Sequence, residues 1–265
     1  KRVAYYTFEL KALDVYNRVA CRLMGLPIRD LQLSSPESRP SYDMHAADLL
    51  TRVGPQGLKL AVEYYSPRSA TVGTIRSHLT HLRVRRDFRP DLIIVDYADK
   101  VLPTNRTAQK SEGNTYLEMG AVLEELIGLA NDFECPVWTG SQLRRDGVRK
   151  AMTRGQVCGM DDLADSMRKA HDADVIITLN QSPEEKIAQK MRAYLAKVRR
   201  GDAGLIIDLS VDYSRMKVSE SEKQRSHQET FGHIYASSDS LPGEVSTSDD
   251  PDLDGLSSGA NSLSA

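Results

Sequence analysis

The stretch "RPDLIIVDYADKV", Arg89 to Val101, decides how the rest of the chain is read. A polar lead-in and a four-residue apolar run, Leu92 to Val95, end at Asp96, the pattern of a buried strand with a carboxylate at its mouth. In open α/β sheets, ligands collect beyond the carboxyl ends of the strands, where loops aim polar groups into one crevice. What Asp96 holds there is an open question, because the chain contains no phosphate-cradling G-x-x-x-x-G-K-[ST].

Outward from this stretch, strand and helix patterns alternate. Val3 to Phe8 reads as a strand, and Leu10, Leu13, Tyr16, Val19 and Leu23 lie at helical spacing, predicting a helix over about 11–24 that stops at Gly25 and Pro27. "SSPESRPSYD" is loop by composition, "MHAADLLTRV" a short helix and "LKLAVEYYS" a strand. A helix follows in "SATVGTIRSHLTHLRVRR", with Ser69 or Thr71 as N-cap and Val72, Ile75, Leu79 and Leu82 on its core face. After the Asp96 strand and a polar loop from Pro103 to Asn114, "YLEMGAVLEELIGLANDFE" is the longest helical pattern, with Leu117, Val122, Leu126 and Leu129 toward the core. "CPVWTGSQ" reads as a short buried strand, "RRDGVRKAMTRGQ" as a basic loop, "MDDLADSMRKA" as a helix and "ADVIITL" as a further strand. The alternation predicts an α/β domain, a mostly parallel sheet with helices on both faces. "RAYLAKVRRGDAGLIIDLSVDY" adds a C-terminal antiparallel hairpin at the sheet's edge. Beyond about Glu220 the chain turns to Ser, Asp, Gly and Pro, so residues 1–220 are expected to form the domain and 221–265 a disordered acidic tail.

Composition narrows the class. With 40% hydrophobic and 27% charged residues the chain suits a soluble, cytoplasmic domain with a real core. No apolar run approaches the roughly 18 residues of a membrane span. Cys21, Cys135 and Cys158 have neither zinc-site nor disulfide spacing and are expected to be reduced and structural. The tail holds eight acids against two bases, so a chain at −2 overall carries +4 in its first 220 residues, compatible with a nucleic-acid partner. The chain opens on "KRVAYYTFEL" with a strand already under way, from which an upstream segment is expected.

Four strand ends carry polar groups: Glu9, Asp96, Ser141 with Gln142, and Asn180. The first three suit nucleotide hydrolysis: one carboxylate to hold Mg²⁺ through water, a second to orient or deprotonate the attacking water, and an amide that senses the γ-phosphate. Each has a plainer reading. Asp96 could cap a turn, Glu9 could serve a helix dipole, and Gln142 alone says little.

"VAYYTFEL", "PDLIIVDYADKV", "PVWTGSQLRR", "DLADSMRKAHDADVII" and "LAKVRRGDAG", in that order, resemble the RecA-like P-loop ATPase core of DnaB-type replicative helicases, including their phage-encoded relatives, over roughly residues 1 to 218. The resemblance implies an ATP-dependent DNA helicase that uses ATP and Mg²⁺ and moves along single-stranded DNA as a homo-oligomeric, hexameric ring. A primase or a helicase loader is an expected partner. It implies Glu9 as catalytic base, Asp96 as the Walker B carboxylate and Gln142 as sensor. Lys197 and Arg199 match the lysine and arginine finger that reach the neighbouring subunit's γ-phosphate; their plainer reading, with Arg200, is a solvated basic turn. Arg144, Arg145, Arg149, Lys150 and Arg154, in a flexible basic loop, are the expected DNA contacts, joined by Arg168 or Lys169, although Met167 stands where many family members have glycine. The family's phosphate loop, amino-terminal domain and linker helix are not in the sequence, so the 265-residue chain alone is expected not to hydrolyse ATP. A recombinase or clock-type RecA-fold ATPase is the alternative enzyme, and a non-catalytic DNA-binding or assembly paralogue the alternative of another class.

Overall fold

The computed structural model describes residues 1–32, 44, 59–104, 115–143, 145–162 and 172–221. The 34–43 loop, the helix of "MHAADLLTRV" beyond Met44, the 105–114 part of the polar loop, Arg144, the helix of "MDDLADSMRKA" from 163 on with Met167, Arg168 and Lys169, and the tail from 222 lie outside the described residues.

Lys1–Gln224 forms one compact unit containing two sheets. The first has order β2-β1-β3-β4, all parallel: β1 Arg2–Thr7, β2 Lys59–Tyr64, β3 Leu92–Asp96 and β4 Val137–Thr139. Helices connect these strands: α1 Ala12–Met24, α2 Ile28–Gln32, α3 Val72–Arg86 and α4 Thr115–Phe133. Alternation along the strands sorts their side chains by face. Ala4 and Tyr6 of β1 and Ile93 and Val95 of β3 face a core filled by Ile75, Leu79 and Leu82 of α3 and Val122, Leu126 and Leu129 of α4. Burial of each Val, Ile or Leu among them contributes about 1.5–3 kcal/mol. The other face carries α1 beside β2, where the Tyr16 hydroxyl donates to Leu60 O (3.3 Å) and accepts from Val62 N (3.2 Å). Along that face Val3, Tyr5, Leu92 and Ile94 stay half-buried.

Local signals account for the helix ends. Thr71, of the two candidates, is the N-cap of α3 and forms a capping box with Thr74. Gly25 ends α1 in the left-handed conformation at φ 73°. The α3 face read from spacing is the buried one. In α1 the stripe has turned: Val15, Cys21 and Met24 are buried while Leu13, Tyr16 and Leu23 are exposed. In α4, Leu117 is exposed and Met119 takes the first core position ahead of Val122, Leu126 and Leu129, a 3-4-3 spacing that keeps one face inward. All three cysteines are buried free thiols whose burial pushes them up from their ordinary range, as expected of structural residues.

The C-terminal half departs from the expected hairpin. β5 Val175–Asn180, β6 Lys190–Val198, β7 Ile206–Asp212 and β8 Lys217–Glu220 form a separate antiparallel sheet in that order. The β6–β7 hairpin is present, but the "ADVIITL" strand pairs with it instead of extending the parallel sheet. The short "PVWTG" strand is not buried: β4 ends the parallel sheet with Trp138 62% exposed. β5 likewise ends its sheet, with Val175, Ile177 and Leu179 exposed and Ile176, Thr178 and Asn180 buried.

Candidate active site

The parallel register aligns the strand ends that carry the candidate carboxylates. Thr7 pairs with Asp96, and Phe8 N donates to Asp96 O at 2.8 Å, so β1 continues past its last ladder residue along the rim of β3. The buried Thr7 hydroxyl then shapes the exit. Its Oγ1 accepts from Leu10 N (3.0 Å) and Glu9 N (3.3 Å) and donates to Leu10 O (2.8 Å). This turn holds Glu9 exposed at the mouth of β1, before α1 begins, rather than within the helix's first turn.

Asp96 is half-buried beside it. Tyr5 lies two residues back on the same face, because Tyr5 pairs with Ile94, and its hydroxyl donates to Asp96 Oδ2 at 2.8 Å. Burial first, and then this bond and the aspartate's charge, push the Tyr5 phenol far above its ordinary range, so it remains a donor. Among the described residues Asp96 Oδ1 accepts no hydrogen bond, which leaves one carboxylate oxygen for a ligand. Among the described residues no group of three or more metal-ligating side chains exists. A lone aspartate with one open oxygen fits Mg²⁺, which keeps several waters and takes one or two carboxylates plus phosphate oxygens.

At the end of β4, Thr139 locks the neighbouring turn. Its hydroxyl donates to Val95 O (2.8 Å) and accepts from Ala98 N (2.9 Å), tying the end of β4 to the turn after Asp96. The Asp96–Tyr97 peptide bond is cis. Gln142 Nε2 donates to the Tyr97 hydroxyl at 3.0 Å, and Lys100 Nζ stands 5.5 Å from the centre of that ring. The structure therefore brings Glu9, Asp96 and Gln142 to one end of three adjacent strands. Asn180, the fourth strand-end polar residue, is fully buried elsewhere and accepts from Cys158 N at 2.8 Å, a packing role.

Lys197, near the end of β6, and Arg199, just after it, stand apart in the antiparallel sheet. Arg199 follows β6 and folds back on the segment before β5, with Nη1 2.8 Å from Asp174 Oδ1 and Nη2 donating to Asp172 O at 3.2 Å. Asp174 is 77% exposed, so this ion pair is worth about 1 kcal/mol or less and yields readily to a better anion. Lys197 is half-buried and Arg200 exposed.

The DnaB-like helicase C-terminal domain family matches residues 1–219. The chain belongs to this family. It is similar to the DnaB-like replicative helicase of Enterobacteria phage T4, 31% identical over 144 residues, which is 54% of this chain and 29% of that protein. The chain therefore spans well under two thirds of that relative. Among solved structures it resembles a DnaB-like replicative helicase studied with its interactions with primase (TM-score 0.66, 16% identity, 84% of this chain and 51% of that one). It also resembles the ATPase domain of G40P (TM-score 0.65, 16% identity, 84% and 75%). At that identity the likeness concerns the fold, which is RecA-like.

Within this DnaB-like fold the basic segment is not the flexible loop expected from composition. Residues Arg145–Met152 form a helix, α5, whose Gly147 packs against the backbone of Asp162, where a Cβ would come within 2.6 Å of the carbonyl oxygen. Arg145, Arg149 and Arg154 are exposed, whereas Lys150 Nζ is 3.0 Å from Asp162 Oδ1. Burial acts to raise the Asp162 carboxyl, but the Gly159 amide and Lys150 outweigh it and hold it below the ordinary range. Two participants were missed in the sequence, Tyr5 and Tyr97. The "AYY" alternation in β1 signals a tyrosine on the Asp96 face; nothing in the sequence marks Tyr97 as the partner of Gln142.

Proposed function

We propose that this chain is the ATPase core of a replicative DNA helicase that hydrolyses ATP between the subunits of a hexameric ring and thereby moves along single-stranded DNA. The observation that carries the reading is the convergence of Glu9, Asp96 and Gln142 at one end of β1, β3 and β4 in a chain of the DnaB-like family. Asp96, oriented by Tyr5, is the residue that would hold Mg²⁺. Magnesium, when bound, neutralises charge on the phosphate oxygens. Glu9 orients and deprotonates the attacking water, and its exposed position at the strand mouth suits that task. Gln142 reports the γ-phosphate, and its bond to Tyr97 passes any shift to the turn after Asp96. Lys197 and Arg199 act on the triphosphate of the neighbouring subunit, with Arg199 exchanging its weak contact with Asp174 for the phosphoryl oxygens.

The exposed Arg145, Arg149 and Arg154, with Lys150, Arg144 and Arg168, contact the single-stranded phosphate backbone. A primase or loader is the expected protein partner. Among the described residues no helix is long and apolar enough to cross a membrane. The 265 residues contain no phosphate loop, so the activity is assigned to the full-length assembled protein.

The test is hydrolysis by the full-length protein with and without single-stranded DNA, beside unwinding of a forked duplex. Asp96→Asn should abolish both. Retained hydrolysis would remove Asp96 from the site, and DNA binding with no hydrolysis by the parent protein would favour the non-catalytic paralogue.

A further inference from the structure

Arg192, in β6, is 8% exposed and grips two other segments at once. Its Nη1 donates to Gln156 O, its Nη2 to Thr153 O (3.3 Å) and to Glu185 Oε2 (3.0 Å), and its Nε lies 2.8 Å from Glu185 Oε1. Thr153 and Gln156 lie in the turn that follows α5, so the guanidinium holds the backbone just beyond that helix's C-terminal end. Neighbouring bonds reinforce the join. Gln181 N donates to Ala151 O (3.0 Å), Asn180 Oδ1 accepts from Cys158 N (2.8 Å), the Thr178 hydroxyl donates to Cys158 O (2.8 Å), and Cys158 Sγ donates to Gly147 O (2.9 Å). The segment from Arg145 to Asp162 is therefore fastened to β5 and β6. Glu185 is itself fixed, since α6 (Pro183–Ile187) opens with a capping box in which Ser182 N donates to Glu185 Oε2 at 2.7 Å.

The same strand carries the cations of the turn. Pairing runs Asn180 with Arg192 and Thr178 with Tyr194, and then slips so that Ile177 meets Leu195 and Ile176 meets Lys197. Ala196 is the extra residue of a bulge. A one-residue slip reverses the facing of everything after it, so Lys197 lies on the face of Arg192 and Tyr194 instead of the opposite one. Arg199 N then donates to Asp174 O at 2.7 Å, which closes the end of β6 onto the start of β5.

We propose that Arg192 is a positioning residue that joins α5 and the Lys197–Arg199 turn into one rigid unit, so that DNA contact at α5 is transmitted to the cations serving the neighbouring triphosphate. This rests on the proposed function. Coupling between two sites requires a shared body that both ligands bias, and β6 with its buried guanidinium is that body.

Two measurements test it. Amide hydrogen exchange on this chain requires no reaction: Arg192→Met should speed exchange both in residues 145–160 and in the 199–205 turn, with β1 and β3 unchanged. Faster exchange confined to 145–160 would overturn the rigid unit. In the full-length protein, Arg192→Met should keep DNA-independent hydrolysis and nucleotide-free DNA affinity while stimulation by single-stranded DNA falls about tenfold. Unchanged stimulation, or an equal loss of basal and stimulated rates, sinks the proposal, the latter because a general packing defect does the same. If Arg192→Met does not fold, Glu185→Gln, which keeps the guanidinium and removes its carboxylate, is judged by both criteria. If the parent protein shows no DNA-stimulated hydrolysis, the proposed function fails, and the exchange result still decides whether the rigid unit exists.

Discussion

The Tyr5 hydroxyl donates to Asp96 Oδ2 at 2.8 Å, across the two central strands of the parallel sheet. A hydrogen bond to a charged group contributes about 1.5–3 kcal/mol, and here it fixes which carboxylate oxygen faces the crevice. Tyr5→Phe should leave the fold intact and raise the Mg²⁺ concentration needed for half-maximal hydrolysis by about tenfold. A magnesium titration of the full-length protein reads this directly, and an unshifted midpoint would show that Tyr5 does not orient Asp96.

Arg199→Ala should lower DNA-stimulated hydrolysis by on the order of 10³-fold, the usual effect of removing a cation that acts on the transferring phosphoryl group. Mixing Arg199→Ala subunits with Glu9→Gln subunits should restore part of the activity, since some interfaces then hold both intact groups. No recovery in mixed rings would place both residues in one subunit's site. Asp174→Asn, which removes only an exposed ion pair, should change the rate little.

Arg145 and Arg149 lie exposed on α5. If both meet the phosphate backbone, replacing the pair by alanine should reduce the slope of log affinity against log salt by about 1.4, since each single-strand phosphate contact contributes about 0.7. Fluorescence anisotropy with a short oligonucleotide at several salt concentrations measures the slope. An unchanged slope would return both arginines to solvent.

His78 sits with its ring edge-on to Tyr6, centroids 5.7 Å apart, and its Nδ1 3.1 Å from the Tyr6 hydroxyl. Burial is the main reason its pKa is held below 6.5; Glu63 opposes this, and His81 and Arg86 add to it. The folded state therefore binds a proton less readily than the unfolded chain. The contribution to stability is complete above the unfolded value and is lost as pH falls from about 6.5 toward the depressed folded value. Melting temperature should drop over that range, and His78→Gln should flatten the dependence. A parent protein whose melting temperature rises on acidification there would reverse the sign and exclude His78 as its origin.

A Cβ added at Gly73 would lie 2.8 Å from Thr104 Cγ2. Thr104 cannot easily retreat, because its hydroxyl and amide are both held by Glu125, at 2.5 Å and 2.9 Å. Alanine gains about 1 kcal/mol over glycine within a helix, but overpacking costs about 1–3 kcal/mol, so Gly73→Ala should destabilise. Adding Thr104→Ser, which removes the clashing methyl, should recover stability in urea unfolding; failure of the double variant to recover would trace the cost to another contact.

Much of this molecule follows from local chemistry. The alternation of strand and helix, the α3 core face, the Thr71 cap, the antiparallel β6–β7 pair and the placement of Glu9, Asp96 and Gln142 at strand ends all depend on residues within a few positions of one another. Periodicity and capping act at that range. Tertiary packing decided the rest. The choice of Met119 over Leu117, and the turned face of α1, depend on which side a helix meets its sheet, which two apolar stripes on one helix leave open. The basic segment, helical in spite of Gly147, is held by Asp162 and, just past its end, by Arg192, partners up to about 45 residues away. β5 joined the antiparallel sheet because backbone pairing is chosen by neighbours, and "ADVIITL" suits either kind of ladder. The Asp96 site shows the same division. Its carboxylate is legible as an apolar run ending in Asp, whereas its donor Tyr5 is 91 residues away and is supplied only when β1 and β3 pair in register.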